Sequence, residues 1–250
     1  MIDGSLGTDR PLFSVLVGCY GGWPQYSIRA VESVLSHCVR REQFRLYVGC
    51  NASSPEILAV FRKYLDWGRL DALVESPHNI NKDPMMRVLL QLSETPYILW
   101  MDDDSHVLPG WDDEIARFVR DRHPFDVGGH VFYISGRSEE HCAFLRRRPW
   151  YVSPERESER IWFATGGLFL ARREFLQTHD FPDRAMIKRA DDVLLGELCQ
   201  QQQAVLADFG GRREIMDRIR ISDGNRRGEG EDAAGWREDL SAPRDHVNGE

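Results

Sequence analysis

Short apolar runs alternate with segments of helical periodicity through the first hundred residues, and this alternation restricts the fold more than any other feature. Strands are predicted at Phe13–Cys19, Phe44–Cys50, Leu70–Glu75 and Tyr97–Met101, with a helix of about ten residues between successive strands. Strands that alternate with helices form βαβ units around a mostly parallel sheet. The sequence therefore predicts an α/β fold with the most apolar run, Tyr97–Met101, at the centre of the sheet.

The second half of the chain is less regular. Strands are predicted at Val127–Ile134, Trp162–Ala171 and Ala204–Phe209, and a helix at Asp191–Gln202. Together with the first half they make one predicted domain over residues 11–210. From residue 222 onward the chain contains eight acidic residues and four arginines, so this end carries half of the net charge of −8. With five glycines and few large apolar residues, the stretch 222–250 is predicted to be a disordered acidic tail.

Composition excludes several classes of protein. No apolar run approaches the roughly 18 residues that a membrane helix needs, and the first residues lack the basic start of a signal peptide. We therefore expect a soluble, cytoplasmic protein. The net charge of −8 argues against a chain coated in basic residues for nucleic acid, although it leaves room for a local basic patch. The five cysteines are widely spaced and form no Cys-x-x-Cys pair, so neither a zinc ribbon nor a disulfide framework is indicated.

Three aspartates, Asp102, Asp103 and Asp104, directly follow the most apolar run. On an extended backbone Asp102 and Asp104 point the same way, and Asp103 points the opposite way. Adjacent carboxylates repel one another, and a cation among them relieves that repulsion. Two carboxylates completed by phosphate oxygens would suit Mg²⁺ or Mn²⁺. The alternative is a solvated acidic turn, but a position at the end of a core strand favours the metal site.

Four segments, taken in order, resemble the family 2 glycosyltransferases with the GT-A fold. Tyr97–Trp111 has the apolar strand, the Asp-x-Asp and the later Pro-Gly, and Phe13–Leu35 resembles the opening strand and helix of the family. Trp162–Glu174 resembles its Thr-Gly-Gly segment, and Asp191–Leu195 its Glu/Asp-Asp-x-x-Leu motif. The resemblance covers about residues 13–209. It implies a GT-A-like, mostly parallel twisted sheet flanked by helices, with an irregular acceptor-side half.

The resemblance also implies roles for individual residues. Asp104 would ligate a divalent metal, Mn²⁺ or Mg²⁺, that bridges the diphosphate of a nucleotide-sugar donor, and Asp102 would contact the ribose or the metal shell. Asp192 would be the general base in an inverting transfer to an acceptor hydroxyl, and Asp191 could exchange roles with it. The candidate donor-binding residues are Asp102, Asp103, Asn51, Ser53, Lys82, Arg87, Gly166 and Gly167.

The sequence departs from the family after its second strand. Where the family has Asp-x-x-Ser-x-Asp, the segment Gly49–Ser54 carries no carboxylate. The amide of Asn51 or the hydroxyl of Ser53 could still form hydrogen bonds with a base or a ribose. The preferred nucleobase is therefore left open.

The acceptor would lie against the irregular second half. Trp162 could stack on a sugar or belong to the core, and Arg146 lies in a basic run that ends beside Trp150. The acceptor hydroxyl could belong to a glycan, to a small molecule or to a hydroxymethylated pyrimidine in DNA, which arginines and aromatics would suit. In the alternative interpretation, these arginines simply pair with nearby glutamates such as Glu157.

Two further classes of protein compete with the transferase. A nucleotidyltransferase would also combine an α/β sheet with acid-bound metal, but no glycine-rich phosphate loop with a basic residue lies near Gly18–Gly22. A non-catalytic nucleotide-sugar-binding protein is favoured by the missing nucleobase acid. The presence of both the Asp102/Asp104 and the Asp191/Asp192 pairs opposes it.

Overall fold

The computed structural model describes residues 10–186, 191–209 and 220–222 of the 250-residue chain. The strands are β1 (Phe13–Tyr20), β2 (Phe44–Asn51), β3 (Ala72–Ser76), β4 (Tyr97–Asp102), β5 (Ser105–Val107), β6 (Val127–Ser135), β7 (Arg160–Arg172), β8 (Leu206–Asp208) and β9 (Arg220–Ser222). The helices are α1 (Pro24–Ser36), α2 (Pro55–Asp66), α3 (Lys82–Leu92), α4 (Trp111–Arg122), α5 (Glu139–Leu145), α6 (Arg173–Thr178) and α7 (Asp191–Gln202).

Within the described residues, seven strands form one mixed sheet in the order β3-β2-β1-β4-β7-β6-β8. Strands β1 to β4 are mutually parallel where they pair, β7 is antiparallel to both β4 and β6, and β8 is parallel to β6. The predicted α/β class and the central position of β4 are confirmed. Strand β9 pairs with β5 in a separate two-stranded sheet beside the acidic turn, so strand pairing extends beyond residue 210, where the predicted domain ends. The predicted tail lies outside the described residues except for Ser222.

Helices cover both faces of the sheet, and the side chains of β4 alternate between the two cores. Leu99 and Met101 point into the core shared with α1, α2 and α4, whereas Ile98 and Trp100 point into the core shared with α3 and α7. Burial on both faces explains why this strand is a continuous apolar run rather than an alternating pattern. Among the described residues, no helix is long and apolar enough to cross a membrane.

The predicted boundaries hold well in the first half. The Ser54 hydroxyl accepts a hydrogen bond from the Ile57 amide (3.5 Å) as an N-cap, and Pro55 begins α2 as the sequence indicates. Helix α7 has the predicted bounds. The sequence analysis did not predict α4, α5 or α6, and β7 begins two residues before the predicted strand.

Helix α7 packs against β7 with almost no space between their backbones. A Cβ atom on Gly196 would lie 2.3 Å from the Trp162 carbonyl oxygen and 2.7 Å from the Phe163 Cβ. The helix therefore needs glycine here for close approach, not for its backbone angles. This contact fixes the height of α7 above the strand.

Replacing Gly196 by alanine should lower the free energy of unfolding by about 1–3 kcal/mol, because the new methyl group meets backbone that cannot move aside. Alanine is the better helix former by up to about 1 kcal/mol, so a net loss isolates the clash. Urea unfolding of Gly196→Ala measures it. Gly22→Ala is the matched control, since nothing lies within 4 Å of its Cβ position. Equal stability of Gly196→Ala and wild type would contradict the packing described here.

Candidate active site

The carboxyl ends of the parallel strands meet at one edge of the sheet. Gly18 of β1 pairs in register with Asp102 of β4, and Tyr20 pairs with Asn51 at the end of β2. Ligands of open α/β sheets bind at this edge. The predicted donor-side residues of three strands are thus brought to a common border by the sheet itself.

Asp102 faces the α3 side of the sheet. The Lys82 ammonium, in the first turn of α3, lies 2.9 Å from Oδ1 and 3.1 Å from Oδ2 of Asp102, and the Trp100 indole donates to Oδ1 at 2.8 Å. The same ammonium lies 5.5 Å from the centroid of the Trp100 ring. The side chains of Asp102 and Lys82 are each 31% exposed, so a partly open, charge-balanced pair stands at the end of β4.

Asp103 faces the opposite side of the sheet and is a correction to the sequence analysis. Its carboxylate is 4% exposed and accepts hydrogen bonds from the Ser27 hydroxyl of α1 (2.5 Å) and the Tyr20 amide (3.1 Å). Successive side chains of a strand alternate between its two faces, so Asp103 lies on the face opposite that of Asp102. Its described contacts fasten the turn between β1 and α1, so its grouping with the donor-binding residues was wrong.

Asp104 lies in the turn between β4 and β5 and is partly buried. The Ser105 hydroxyl donates to its Oδ1 at 3.4 Å. Two carboxylate side chains, Asp102 and Asp104, therefore stand at the end of the central strand, and their hard oxygens fit Mg²⁺ or Mn²⁺. Among the described residues, no group of three or more His, Cys, Asp or Glu could hold a metal. A cation at these two carboxylates would complete its coordination with water or with oxygens of a bound substrate.

Asn51 has a different task from the expected one. It is 5% exposed, its Nδ2 donates to Asn79 Oδ1 (2.9 Å) and to the Asn81 carbonyl (3.1 Å), and its Oδ1 accepts from the Ile80 amide (2.7 Å). Both ends of the amide are thus engaged within the loop that leads into α3. The direct contact between Asn51 and a nucleobase is corrected to an indirect role, in which Asn51 shapes that loop. The hydroxyl of Ser53 donates to the Cys19 carbonyl at 3.4 Å.

The hydrogen-bond partners of Asn51, Asn79 and Asn81, were not predicted from the sequence. Asn79 Oδ1 also accepts from the Asn81 amide (2.8 Å), and Asn81 has a φ of 69° immediately before α3. Asparagine tolerates this left-handed conformation better than most residues. The signal available in the sequence was an asparagine after β2 together with two more before α3.

Gly166 and Gly167 lie in a bulge of β7 at the same sheet edge. Gly129 of β6 pairs with Phe169, but Val131 pairs with Ala164, so residues 165–168 of β7 face only one residue of β6. Met101 pairs with Leu168, which places Gly167 one residue beyond, at the level of Asp102. The extra residues bring the β7 backbone out beside the acidic turn.

Asp192 lies in the first turn of α7, where its Oδ1 accepts from the Val193 amide at 2.8 Å. Contacts farther along fix the direction of the helix. Gln200 donates to the Arg160 carbonyl, and Gly196 touches the Trp162 carbonyl. These two contacts show that α7 and β7 run in opposite directions. Asp192 therefore lies one turn, about 5.4 Å, from Gly196 toward the Gly167 end of β7. The side chain of Asp191 lies outside the described part of the structure.

A buried ion cluster fastens α7 to the segment between β6 and β7. Glu197 is completely buried and binds Arg137 (Nε–Oε1 2.7 Å, Nη2–Oε2 3.0 Å) and His141 (Nε2–Oε1 3.0 Å). Burial raises the pKa of the Glu197 carboxyl, but the His141 and Arg137 hydrogen bonds outweigh it, so the pKa lies below its usual value. The buried Gln201 adds a second link, since its Oε1 accepts from the amides of residues 152 and 153.

Two further predicted residues, Arg87 and Arg146, have charged partners within the protein. Arg87 binds Asp180 (2.7 Å) and the Pro182 carbonyl (2.8 Å), which ties α3 to the turn after α6. Arg146 pairs with Glu157 at 3.2 Å, as the alternative interpretation of the basic run expected.

Trp150 is 3% exposed and belongs to the core beside α7. The predicted contact between the Trp150 ring and an acceptor is therefore wrong, since a buried ring offers no face. Trp162, in contrast, is 43% exposed.

The fold, with acidic residues at the end of its central strand, is of the GT-A type. The model of "Glycosyl transferase family 2" matches residues 14–180. The chain belongs to this family, as the sequence resemblance indicated. Asp191 and Asp192 lie beyond the matched residues.

Solved structures show the same fold at low sequence identity. S. aureus TarS is 18% identical with a TM-score of 0.58, covering 80% of this chain and 35% of TarS. TarS residues 1–349 in complex with UDP-GlcNAc are 17% identical with a TM-score of 0.53, covering 82% of this chain and 60% of that one. The mannosyltransferase PcManGT from Pyrobaculum calidifontis, in complex with GDP-Man and Mn²⁺, is 17% identical with a TM-score of 0.53, covering 80% and 55%. No curated protein sequence matches significantly. The chain thus spans about a third to three-fifths of the structures it resembles.

The different tasks of the neighbouring aspartates give a direct prediction. Asp103→Ala should lower the free energy of unfolding by about 2 kcal/mol or more, because the Ser27 hydroxyl and the Tyr20 amide lose a charged, buried acceptor. Urea unfolding is the measurement. The control, the exposed Asp121→Ala, should stay within about 0.5 kcal/mol of wild type. If Asp103→Ala instead keeps the stability of wild type but loses nucleotide binding, Asp103 contacts the donor as first predicted.

The Glu197 cluster should make the free energy of unfolding depend on pH in the acidic range. Because the folded pKa lies below the ordinary 4.5, the ionised carboxylate stabilises the fold fully above that pH, and the stabilisation is lost as the pH falls through the folded value. Glu197→Gln should therefore be less stable at neutral pH, by about 3 kcal/mol, and lose less stability on acidification. Urea unfolding at a series of pH values tests this. The exposed Glu139→Gln should keep the wild-type profile, and a Glu197→Gln profile parallel to wild type would refute the assignment.

Proposed function

We propose that this chain is a metal-dependent inverting glycosyltransferase that moves a sugar from a nucleotide-diphosphate donor to an acceptor hydroxyl. One observation carries the proposal. It is that Asp102 and Asp104 follow β4 at the level of Gly167 of β7, while α7 runs from Gly196 toward that end of β7 and has Asp192 in its first turn. The two groups of acids suit the two ends of a displacement reaction.

The donor end is supported by Asp102, Asp104 and Lys82. The two carboxylates would hold Mn²⁺ or Mg²⁺, which when bound would neutralise the charge that develops on the departing nucleoside diphosphate. Lys82 orients Asp102 by bonding to both of its oxygens, and the indole of Trp100 restricts it further. A carboxylate held in this way presents its remaining lone pairs in one direction without reorganisation when the donor binds.

The acceptor end is supported by Asp192. A carboxylate in the first turn of a helix can take the proton of an acceptor hydroxyl as the oxygen attacks the anomeric carbon. Attack from the side opposite the leaving diphosphate inverts the anomeric centre. Asp191 is the alternative base, since it is the preceding residue of the same turn.

The relatives favour a nucleotide-sugar donor without selecting its base. UDP-GlcNAc is bound to TarS, and GDP-Man with Mn²⁺ to PcManGT. The engaged amide of Asn51 supports a base contact through the backbone of the loop after β3, residues 77–81. Both uridine and guanosine diphosphates therefore belong in any first test.

Two alternatives remain as rivals. The hydroxymethylated DNA base would be favoured by a free basic run, but Arg146 is paired with Glu157, and Arg148, 7% exposed, is paired with Asp183 (2.7 Å). These contacts favour a neutral acceptor. A non-catalytic nucleotide-sugar binder would use the same donor residues without needing Asp192.

Nucleotide release from the donor separates the enzyme from the binder. With Mn²⁺ and a panel of UDP- and GDP-sugars, wild type should release nucleoside diphosphate slowly even without acceptor. Asp104→Ala should lose at least about 100-fold of this rate, because the leaving group loses its counter-charge. Asp192→Asn should still bind the nucleotide yet transfer at least about 100-fold less sugar to an acceptor. A coupled assay for free UDP or GDP measures the rates.

The exposed Asp121→Asn, on α4, is the matched control and should behave as wild type. Thermal stabilisation by UDP or GDP together with Mn²⁺ should exceed the sum of the separate effects, because the site needs ligands from both. Donor binding without turnover by wild type, across the panel and with every acceptor supplied, would make the chain a binder. Turnover that survives Asp104→Ala would contradict the metal site.

A further inference from the structure

A pair of aromatic rings stands open to solvent on the hairpin formed by the outer halves of β6 and β7. Tyr133 and Trp162 are directly paired across the strands, with ring centroids 4.9 Å apart and ring planes at 51°. They are 39% and 43% exposed, and the Arg160 guanidinium carbon lies 4.7 Å from the centroid of the Tyr133 ring. We call these three side chains the aromatic platform. Single exposed aromatics are common, but a contiguous pair marks a binding surface.

The platform borders a groove of about 540 Å³ between the hairpin, α7 and β8. The wall combines apolar side chains, Val131 and Leu206, with the polar Gln200 and Gln203 near the end of α7. Gln200 is held in place, since its Nε2 donates to the Ser158 hydroxyl (3.0 Å) and its Oε1 accepts from Arg137 (3.0 Å). An apolar wall with a few fixed polar groups is typical of a small-molecule or saccharide site.

The platform is joined to the candidate base through the close packing of α7 on β7. The carbonyl of Trp162 abuts Gly196, and Asp192 lies one helical turn before Gly196, toward the bulge that contains Gly167. The order along this part of the molecule is therefore platform, candidate base, donor edge. A ligand seated on the platform would extend past Asp192 to the donor, as an acceptor must.

The chemistry of the platform favours an uncharged saccharide. The C–H face of a pyranose ring packs flat on an aromatic ring, and amide and guanidinium groups bind hydroxyls. A nucleic acid would also stack, but it needs a track of free basic groups for its phosphates. Arg146 and Arg148 are both engaged by carboxylates, and the lining of the groove carries no charge.

From this geometry we infer that the aromatic platform is the subsite for a neutral sugar ring of the acceptor, so the acceptor is a glycan or glycoside. This inference rests on the proposed function for its meaning, but the binding it predicts can be measured without turnover. Trp162 provides the main ring face and Tyr133 provides the second, while the Arg160 guanidinium packs over the Tyr133 ring.

The test uses the full chain and a panel of neutral oligosaccharides (cello-, malto- and chito-series, and mannan fragments), with binding followed by isothermal titration calorimetry. At least one series should bind wild type, and Trp162→Ala and Tyr133→Ala should weaken it about tenfold or more. Phe132→Ala is the matched control, because Phe132 neighbours Tyr133 on the same strand, is 42% exposed and points to the other face. It should bind as wild type does.

Donor hydrolysis separates the two proposals. It should occur in wild type and be unchanged in Phe132→Ala, which lies outside the platform. Thermal unfolding and Trp162→Phe, which keeps a ring, guard against a variant that misfolds. If oligosaccharide binding depends on Trp162 but the protein shows no turnover, the subsite is supported and the proposed transferase activity is refuted. Trp162-dependent binding of single-stranded poly(dT), absence of any Trp162-dependent oligosaccharide binding, or equal losses in Phe132→Ala and Trp162→Ala would overturn the subsite.

Discussion

The organisation of the site depends on the pleat at the end of β4. Two adjacent carboxylates leave the strand on opposite faces, and each meets a different helix. Asp103 ties β4 to α1 and to the end of β1, whereas Asp102 pairs with Lys82 at the start of α3. One face of the strand end is thus used for stability, and the other carries the carboxylate proposed to bind the donor. Because buried carboxylates are tolerated only with partners, the hydrogen bonds of Asp103 are what allow such a dense group of acids to follow an apolar strand.

A second constraint is the seat of α7. Gly196 sets its distance from β7, and Glu197, the next residue, binds the segment between β6 and β7 through Arg137 and His141. The helix that begins with the candidate base is therefore held from two sides. Its N-terminal turn can stand at the sheet edge because its middle is immobilised by close packing and by buried charge.

The sequence allowed most of the sheet, the family and the acidic residues to be predicted. Continuous apolar runs and a proline-capped helix start carry strong local signals, so β1, β2, β4 and α2 were found nearly to the residue. Local sequence signals do not indicate which distant residues a side chain will contact. Nothing in the neighbourhood of Asn51 indicates that its amide will be used by residues 79–81, and nothing near Trp150 indicates that its ring is buried by α7. The bulge of β7 likewise depends on the register of two strands, which a single segment does not encode.

The segment from residue 136 to residue 159 is anchored to the body of the protein at several points along its length. Its beginning is held by the ion pairs of Arg137 and His141 with Glu197, and its later part by the backbone amides that bind Gln201. All of these anchors lie on a single helix, α7, whose position against β7 is fixed independently by Gly196. The part between these anchors is held as well, because the Trp150 ring is buried beside α7 and Arg148 binds Asp183. A shift of α7 against β7 would therefore move this whole segment with it.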